Sequence, residues 1–339
     1  MTTVLITGAA GFIGSTLALH LAAQGHTVLA CDWSNVQGDT PLDPDLQDVP
    51  ARLRRDRLVR LAAHPQIRYH CLDITQPGAV LTLISDSRVE AVVHLAAQAG
   101  VRQSVLAPMD FVGPNLVGFA RVLDACRLAK IQRFLYASSS SVYGLRDDAP
   151  FQEDDRTDRP QSFYAATKLA NEAMACAYHA QYGMASLGMR FFTVYGPWGR
   201  PDMAPLMFAR KLLKGETLRL FAKGELHRDF TYVGDTVAAI DRLLHRPQGD
   251  AAAEVVNVGH RRPVQVKAFV EILARLTDTV PVIEFAPMQV ADVTLTCASE
   301  DRLLNMIGSW PDTPLEQGLK SLVDWLQAWE FGRGQTGCR

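Results

Sequence analysis

The chain has 339 residues, 48% of them hydrophobic, enough to bury a large core and to divide into roughly two domains of about 150 residues each. Lys plus Arg number 34 against 36 Asp plus Glu, a net charge of −2, which leaves no basic surplus for nucleic acid or an anionic membrane. No apolar run reaches the ~18 residues of a membrane span, no basic region precedes the first apolar stretch, and the six cysteines include no C-x-x-C pair, so a cytoplasmic protein without disulfide framework or metal site is expected.

Thr3–Thr7 is a short β-rich run that enters Gly8-Ala9-Ala10-Gly11-Phe12-Ile13-Gly14, after which the apolar spacing is helical. Strand, glycine turn and helix in that order suit a dinucleotide: glycines allow the tight turn and close approach of a pyrophosphate, and the helix N-terminus around Phe12 and Ile13 supplies N–H groups. The spacing is G-x-x-G-x-x-G, and by itself it is equally compatible with a plain turn. Residues 26–32 form a second strand ending in Asp32, 18 residues beyond Gly14. That carboxylate can accept from both ribose hydroxyls and would repel a 2′-phosphate, so NAD is favoured over NADP; no Arg or Lys follows directly to reverse this.

Residues 33–50 read as a surface loop, 51–63 as a helix, and 67–74 as a strand ending in Asp73-Ile74, placed to border an adenine. Residues 77–84 read as helical. Residues 90–97 form a buried strand that finishes in Leu95-Ala96-Ala97, whose small side chains let a flat cofactor approach the backbone. His94 within it reads as a packed, hydrogen-bonded histidine in preference to a catalytic one. An apolar helix over 110–130, broken near Pro108 and Pro114, carries more apolar side chains than one buried face needs, so part of it is expected to pack on a partner subunit. Residues 133–137 form the next strand and deliver Ser138-Ser139-Ser140-Ser141-Val142-Tyr143-Gly144 to its C-terminal end, where open parallel sheets bind ligands. A serine run can also be a linker, but here a strand feeds it and Val-Tyr-Gly closes it.

The next helix opens with Phe163-Tyr164-Ala165-Ala166-Thr167-Lys168. Residues four apart share a helix face, so Tyr164 and Lys168 project into one volume. An ammonium that close favours phenolate, pulling the tyrosine toward the working pH, and a tyrosine so placed can take a hydroxyl proton while the carbon beneath it loses hydride. Y-x-x-x-K alone also arises by chance on exposed helices. After Gly196 the strand–helix alternation stops: helices are expected over 204–214, 268–277 and 315–329, a strand over 218–221, and a helix capped by Asp235 and running to His245. The fold class is therefore α/β, a Rossmann-type doubly wound parallel sheet with a smaller α/β substrate-binding domain. The boundaries are 1–190 for the NAD-binding domain and 191–339 for the second.

The glycine turn, Asp32, H-L-A-A, S-S-S-S-V-Y-G and Y-x-x-x-K in this order resemble the extended short-chain dehydrogenase/reductases that epimerise or dehydrate nucleotide sugars. Within that family A-G-V-R at 99–102, N-L-V-G-F at 115–119, R-F-F-T-V-Y-G-P-W-G-R-P-D-M-A at 190–204, R-D-F-T-Y at 228–232, P-M-Q at 287–289 and T-P-L-E-Q-G at 313–318 are most similar to bacterial UDP-glucuronate 4-epimerases. Departures are the loop over 33–50, Gln103 where an aromatic is common, and Ala291 in place of a glycine. The resemblance implies that residues 232–258 return to the first sheet, and that a homodimer forms through the helices at 110–130 and 164–182. It implies NAD held by Gly8, Gly11, Phe12, Ile13, Gly14, Asp32, Asp73, Ile74, Leu95, Ala96, Ala97, Tyr164 and Lys168. Tyr164 would act as base on the sugar 4-hydroxyl, Ser139 would hydrogen-bond the same oxygen, and Lys168 would hold the cofactor ribose. Arg200, Arg228 and Lys223 are candidates for the diphosphate, and Gln289 and Asp292 for uridine or ribose.

The 4-keto intermediate of a glucuronate is a β-keto acid, so its carboxylate must be held out of line with the carbonyl; Ser140, Ser141 and Thr193 are the candidates for that grip. Similar decarboxylases carry Glu at the position of Ser141, similar dehydratases carry Asp-Glu after the catalytic hydroxyl residue, and similar neutral-hexose epimerases carry Asn at Thr193. The expected reaction is interconversion of UDP-glucuronate and UDP-galacturonate with no net redox. A UDP-glucose or UDP-N-acetylhexosamine 4-epimerase and a non-catalytic NAD-binding regulator remain alternatives.

Overall fold

The computed structural model describes residues 1–33, 49–146, 148–247, 252–288, 292–330 and 332. Gln289, Ala291 and most of the loop expected over 33–50 lie outside the described residues. In chain order, β1 (Thr3–Thr7), α1 (Phe12–Ala23), β2 (Thr27–Asp32), α2 (Val49–Ala62), β3 (Ile67–Cys71), α3 (Ala79–Ser87) and β4 (Ala91–His94) alternate. Then come α4 (Val101–Leu106), a 3₁₀ turn at Pro108–Phe111, a π-helical stretch at Val112–Gly118, α5 (Phe119–Leu128), β5 (Arg133–Ser139), α6 (Phe163–Tyr182) and β6 (Ser186–Phe191). β7 (Thr193–Tyr195), α7 (Ala204–Lys214), β8 (Leu218–Phe221), β9 (His227–Tyr232), α8 (Val233–His245) and β10 (Ala253–Val258) follow, and β11 (Pro263–Gln265), α9 (Val266–Thr277), β12 (Ile283–Ala286), α10 (Asp301–Ile307) and α11 (Leu315–Glu330) complete the chain.

Seven strands make one sheet in the order β10-β6-β5-β4-β1-β2-β3, every neighbouring pair parallel. Parallel strands covered on both faces read as continuous apolar runs, and Val4-Leu5-Ile6 and Ala91-Val92-Val93 are fully buried accordingly. One face packs against α1 and α8, the other against α3, α5 and α6. The strand order reverses between β1 and β4, which opens a crevice at their C-terminal ends. This is an α/β fold with a Rossmann-type doubly wound sheet. The remaining elements form a three-stranded sheet, β11-β9-β7, and a two-stranded one, β12-β8, around a core of α7, α9 and α11. Helix α2 belongs to both cores, with Leu61 in the first and Val49 and Leu53 in the second.

The expected breaks near Pro108 and Pro114 are present: Pro114 has no N–H to give the preceding turn, and the backbone widens into the π-helical stretch around it before α5 begins. One expectation changes. Asp235 lies inside the first turn of α8 and does not cap it; the N-cap is Tyr232, without a side-chain bond. The Asp235 carboxylate instead turns inward, accepting from the Thr313 backbone N–H (2.8 Å), the Thr313 hydroxyl (2.7 Å) and His260 Nε2 (3.1 Å).

Candidate active site

The glycine turn lies in the crevice. Gly8 has a φ of +70°, and a Cβ there would sit 2.6 Å from the Ala96 nitrogen and 2.7 Å from the Leu95 carbonyl carbon, so only glycine lets β1 and β4 end so close together. His94 just before them is buried, with Nδ1 2.7 Å from the Thr7 hydroxyl; burial drives its pKa down to about 3, which keeps it a neutral packed ring. Gly11 is the N-cap of α1 and offers no side chain to the first N–H groups, leaving Phe12 and Ile13 at an open helix N-terminus. At the end of β2, Asp32 accepts from the Ala10 N–H at 2.8 Å. A turn with glycine at 8, 11 and 14, an open helix N-terminus and a carboxylate one strand away fit a dinucleotide.

The structure adds arginines here. Arg54 of α2 donates to the other Asp32 oxygen at 2.5 Å. Arg57, buried, donates to the Ala10 carbonyl (3.2 Å) and, with Nη2, to the carbonyls of Trp198 (2.5 Å) and Gly199 (3.0 Å). Neither is within reach of Asp32 or the glycine turn along the sequence; the fold of α2 delivers both. At the end of β3, Asp73 accepts from Thr75 and Gln76; burial pushes its carboxyl up, but those hydrogen bonds prevail and hold it below the ordinary range. Ile74 is buried with α3 and α5.

The reacting end lies where β5 ends. Ser162 caps α6 by accepting from the Ala165 N–H at 3.1 Å, and Gly183 closes the helix in the left-handed conformation. Tyr164 is therefore in the first turn, edge-on to Phe111 with ring centroids 6.1 Å apart. Lys168 is buried, its Nζ 2.9 Å from the Ala137 carbonyl and 6.0 Å from the Tyr164 ring centroid. Burial lowers the Lys168 pKa to about 8, against which the Glu172 charge pulls upward. Tyr164 departs from expectation: its hydroxyl pKa is raised, because desolvation outweighs a hydrogen bond with Ser139 and the charge of Arg200. The Ser139 hydrogen bond and the Arg200 charge favour the phenolate but do not offset the burial.

Ser139 pairs with Phe191 across the sheet, so Thr193, two residues further along and opening β7, emerges beside the serine run. Ser139 Oγ accepts from the Ser141 N–H and lies 3.2 Å from the Ser141 hydroxyl, and Ser140 and Ser141 open a short 3₁₀ turn. Arg200 is held by Asp202 through two bonds, 3.1 and 2.6 Å, and donates to the Ala99 carbonyl at 3.0 Å. Its charge favours the Tyr164 phenolate. Arg228 donates to Asp292 at 2.6 Å, so two expected site residues are partners. Burial depresses the Arg228 pKa, and Arg102 adds to this. Arg102 also acts on Asp202 and lies over the Phe221 ring at 5.0 Å. It belongs to the A-G-V-R motif, from which no role could be read. Three guanidiniums thus gather between the lobes, whereas Lys223 is exposed in the turn after β8.

The chain belongs to the NAD dependent epimerase/dehydratase family, whose description matches residues 4–259. A probable UDP-glucuronate 4-epimerase of Rhizobium meliloti is 36% identical over 337 residues, covering 95% of this chain and 96% of that one. UDP-glucuronate 4-epimerase 2 of Arabidopsis thaliana is 39% identical over 337 residues, 95% of this chain and 75% of the other. The crystal structure of UDP-glucuronic acid 4-epimerase from Bacillus cereus, in complex with UDP-glucuronic acid and NAD, superposes with a TM-score of 0.87 at 28% identity, covering 97% of this chain and all of that one (100%).

Proposed function

We propose that the protein interconverts UDP-glucuronate and UDP-galacturonate by inverting carbon 4 through a 4-keto sugar, with NAD held in the crevice between β1 and β4. The observation that carries this is the meeting of Tyr164, Ser139 and Lys168 at the end of β5 with a run of hydroxyl side chains where a lytic enzyme would need carboxylates. NAD in that crevice supplies a hydride acceptor that later returns the hydride. Gly8, Gly11 and the N-terminus of α1 would hold its pyrophosphate, Asp32 its adenosine ribose, Leu95 to Ala97 the flat approach, and Lys168 the second ribose.

Tyr164 takes the proton of the sugar 4-hydroxyl as that carbon is oxidised, and gives it back to the same oxygen when the ketone is reduced on its other face. Ser139, which favours the Tyr164 phenolate before the sugar is engaged, transfers its single donor to the sugar oxygen as the ketone forms. Because burial opposes the phenolate, that hydrogen bond and the Arg200 charge offset part of its cost. Ser140, Ser141 and Thr193 hold the carboxylate, and Arg102 and Arg228 face the diphosphate, an anion that would relieve their mutual repulsion. Asp292 keeps Arg228 aimed; Gln289 is retained as a uridine contact.

Two coarser features join this proposal. Val105 and Leu106 at the end of α4, and Met109 and Val117 between α4 and α5, are exposed, with Phe163 and Tyr182 at the two ends of α6; a second copy covering this surface makes a homodimer, and sedimentation as a monomer would refute it. A cytoplasmic location is proposed from the free cysteines at 31, 71, 126, 176 and 297; no helix among the described residues is long and apolar enough to cross a membrane.

The test is proton NMR of UDP-glucuronate incubated with the purified protein, first without and then with added NAD. UDP-galacturonate alone is the expected product. A UDP-pentose would mean that the hydroxyl cluster fails to protect the carboxylate, and no conversion would turn attention to neutral UDP-hexoses.

A further inference from the structure

Three consecutive residues of β5 fasten α6 turn by turn. Ser139 bonds Tyr164, the Ala137 carbonyl takes the Lys168 ammonium, and the Ser138 hydroxyl donates to Glu172 Oε1 at 2.5 Å. Positions 164, 168 and 172 are four apart and share one helix face. Glu172 is gripped from the other side by Arg190 of β6, with Nε at 3.0 Å from Oε1 and Nη2 at 2.8 Å from Oε2. Arg190 Nη1 donates in turn to the Tyr143 hydroxyl and the Glu153 carbonyl, both at 3.0 Å. Ser138, Glu172 and Arg190 are all buried. A buried ion pair loses so much solvation that an apolar pair of the same size is often as stable, so stability alone does not account for one placed a single turn from the lysine.

We propose that Glu172, fixed by Ser138 and Arg190, is a positioning residue that keeps the Lys168 ammonium charged and in register with Tyr164 for the reaction proposed above. The inference rests on that reaction for its catalytic meaning, but the geometry stands without it. Lys168 is walled in: Tyr164 and Glu172 on its own helix, neutral His94 from β4, the Ala137 carbonyl from β5, and Arg190 beyond the carboxylate from β6. Among these Glu172 is the one anion. Burial already draws the lysine down to about 8; without the carboxylate, and with Arg190 uncompensated, its proton leaves nearer neutrality. Tyr164, whose ring centroid lies 6.0 Å from that ammonium, then loses the neighbouring positive charge and its phenolate becomes less favourable.

The experiment compares wild-type holoenzyme with Glu172→Gln. Two readouts are taken: the alkaline limb of kcat against pH, and the ultraviolet tyrosinate titration of Tyr164, with Tyr164→Phe as the blank. In Glu172→Gln the alkaline limb is expected about one pH unit lower and the Tyr164 titration higher, with KM within about two-fold of wild type. If Glu172→Gln does not fold, Glu172→Met with Arg190→Met removes both buried charges together and undergoes the same measurements. A folded variant whose limb and titration both stay in place overturns the inference. Wild-type protein that fails to convert UDP-glucuronate would sink the functional proposal instead, and the tyrosinate titration, which needs no substrate, would still decide the role of Glu172.

Discussion

The two lobes hold their site residues by different means. In the sheet lobe backbone contacts dominate: Gly8 is held by the close approach of Leu95 and Ala96, Lys168 by the Ala137 carbonyl, and Asp32 by the Ala10 N–H beside its ion pair with Arg54. In the smaller lobe each cation has a carboxylate partner, Arg200 with Asp202 and Arg228 with Asp292, alongside backbone carbonyls. Strand ends leave few degrees of freedom, so the sheet lobe can present the same geometry with or without a guest. Side-chain ion pairs exchange partners, so on the function proposed above the smaller lobe would release its cations from carboxylates to a diphosphate, while the sheet lobe would keep the reacting distances fixed.

The comparison can be broken or sharpened by substitution. Tyr164→Phe should cut kcat by about 10³-fold while bound NAD stays at wild-type stoichiometry; near-normal turnover would remove the tyrosine from the chemistry. Arg228→Met should raise KM for the UDP-sugar by roughly 10-fold with a smaller change in kcat, and leave NAD content alone; a loss of NAD instead would mean the lobes do not divide the work this way. Thr193→Val combined with Ser141→Ala should divert a measurable share of product to UDP-pentose by NMR, whereas an unchanged partition would place the carboxylate grip elsewhere.

The smallest effect is one of stability. His260 is buried, stacked on Trp310 with ring centroids 4.0 Å apart, and hydrogen-bonded to Asp235 and Glu300. Burial alone would lower its pKa, but those bonds and the Asp235 and Asp312 charges raise it to about 9. Its contribution is complete below the ordinary histidine value of 6.5 and disappears as the pH climbs through about 9. Thermal melts of the wild type should therefore fall by a few degrees across that window, and His260→Asn should flatten the slope.

How far the chain could be read before folding follows the same division. The strand-terminal motifs were legible because each is local: a strand fixes the direction of the residues that end it, and a four-residue spacing fixes Tyr164 and Lys168 on one helix face. Glu172 extended that spacing by one more turn and was passed over, since an acid on a helix reads as a solvated charge until Ser138 and Arg190 are seen to bury it. Arg54, Arg57 and Arg102 carried no such signal; each acts on partners far along the chain, and a solvated surface role is the ordinary expectation for an arginine. Asp235 looked like a helix cap because its true partners, His260 and Thr313, lie 25 and 78 residues away. The effect of burial on Tyr164 was equally out of reach, because desolvation is a property of the closed site and not of the Y-x-x-x-K spacing.

Arg57 gives the molecule a history as well as a shape. One guanidinium joins the carbonyl of Ala10, in the glycine turn, to those of Trp198 and Gly199, beside Arg200. The two turns share one anchor, so a shift of either stretches bonds that also hold the other. On the reaction proposed above the dinucleotide ends each cycle in its starting oxidation state, and exchange would serve no purpose. Such a dinucleotide would act more as a prosthetic group than as a shuttling coenzyme.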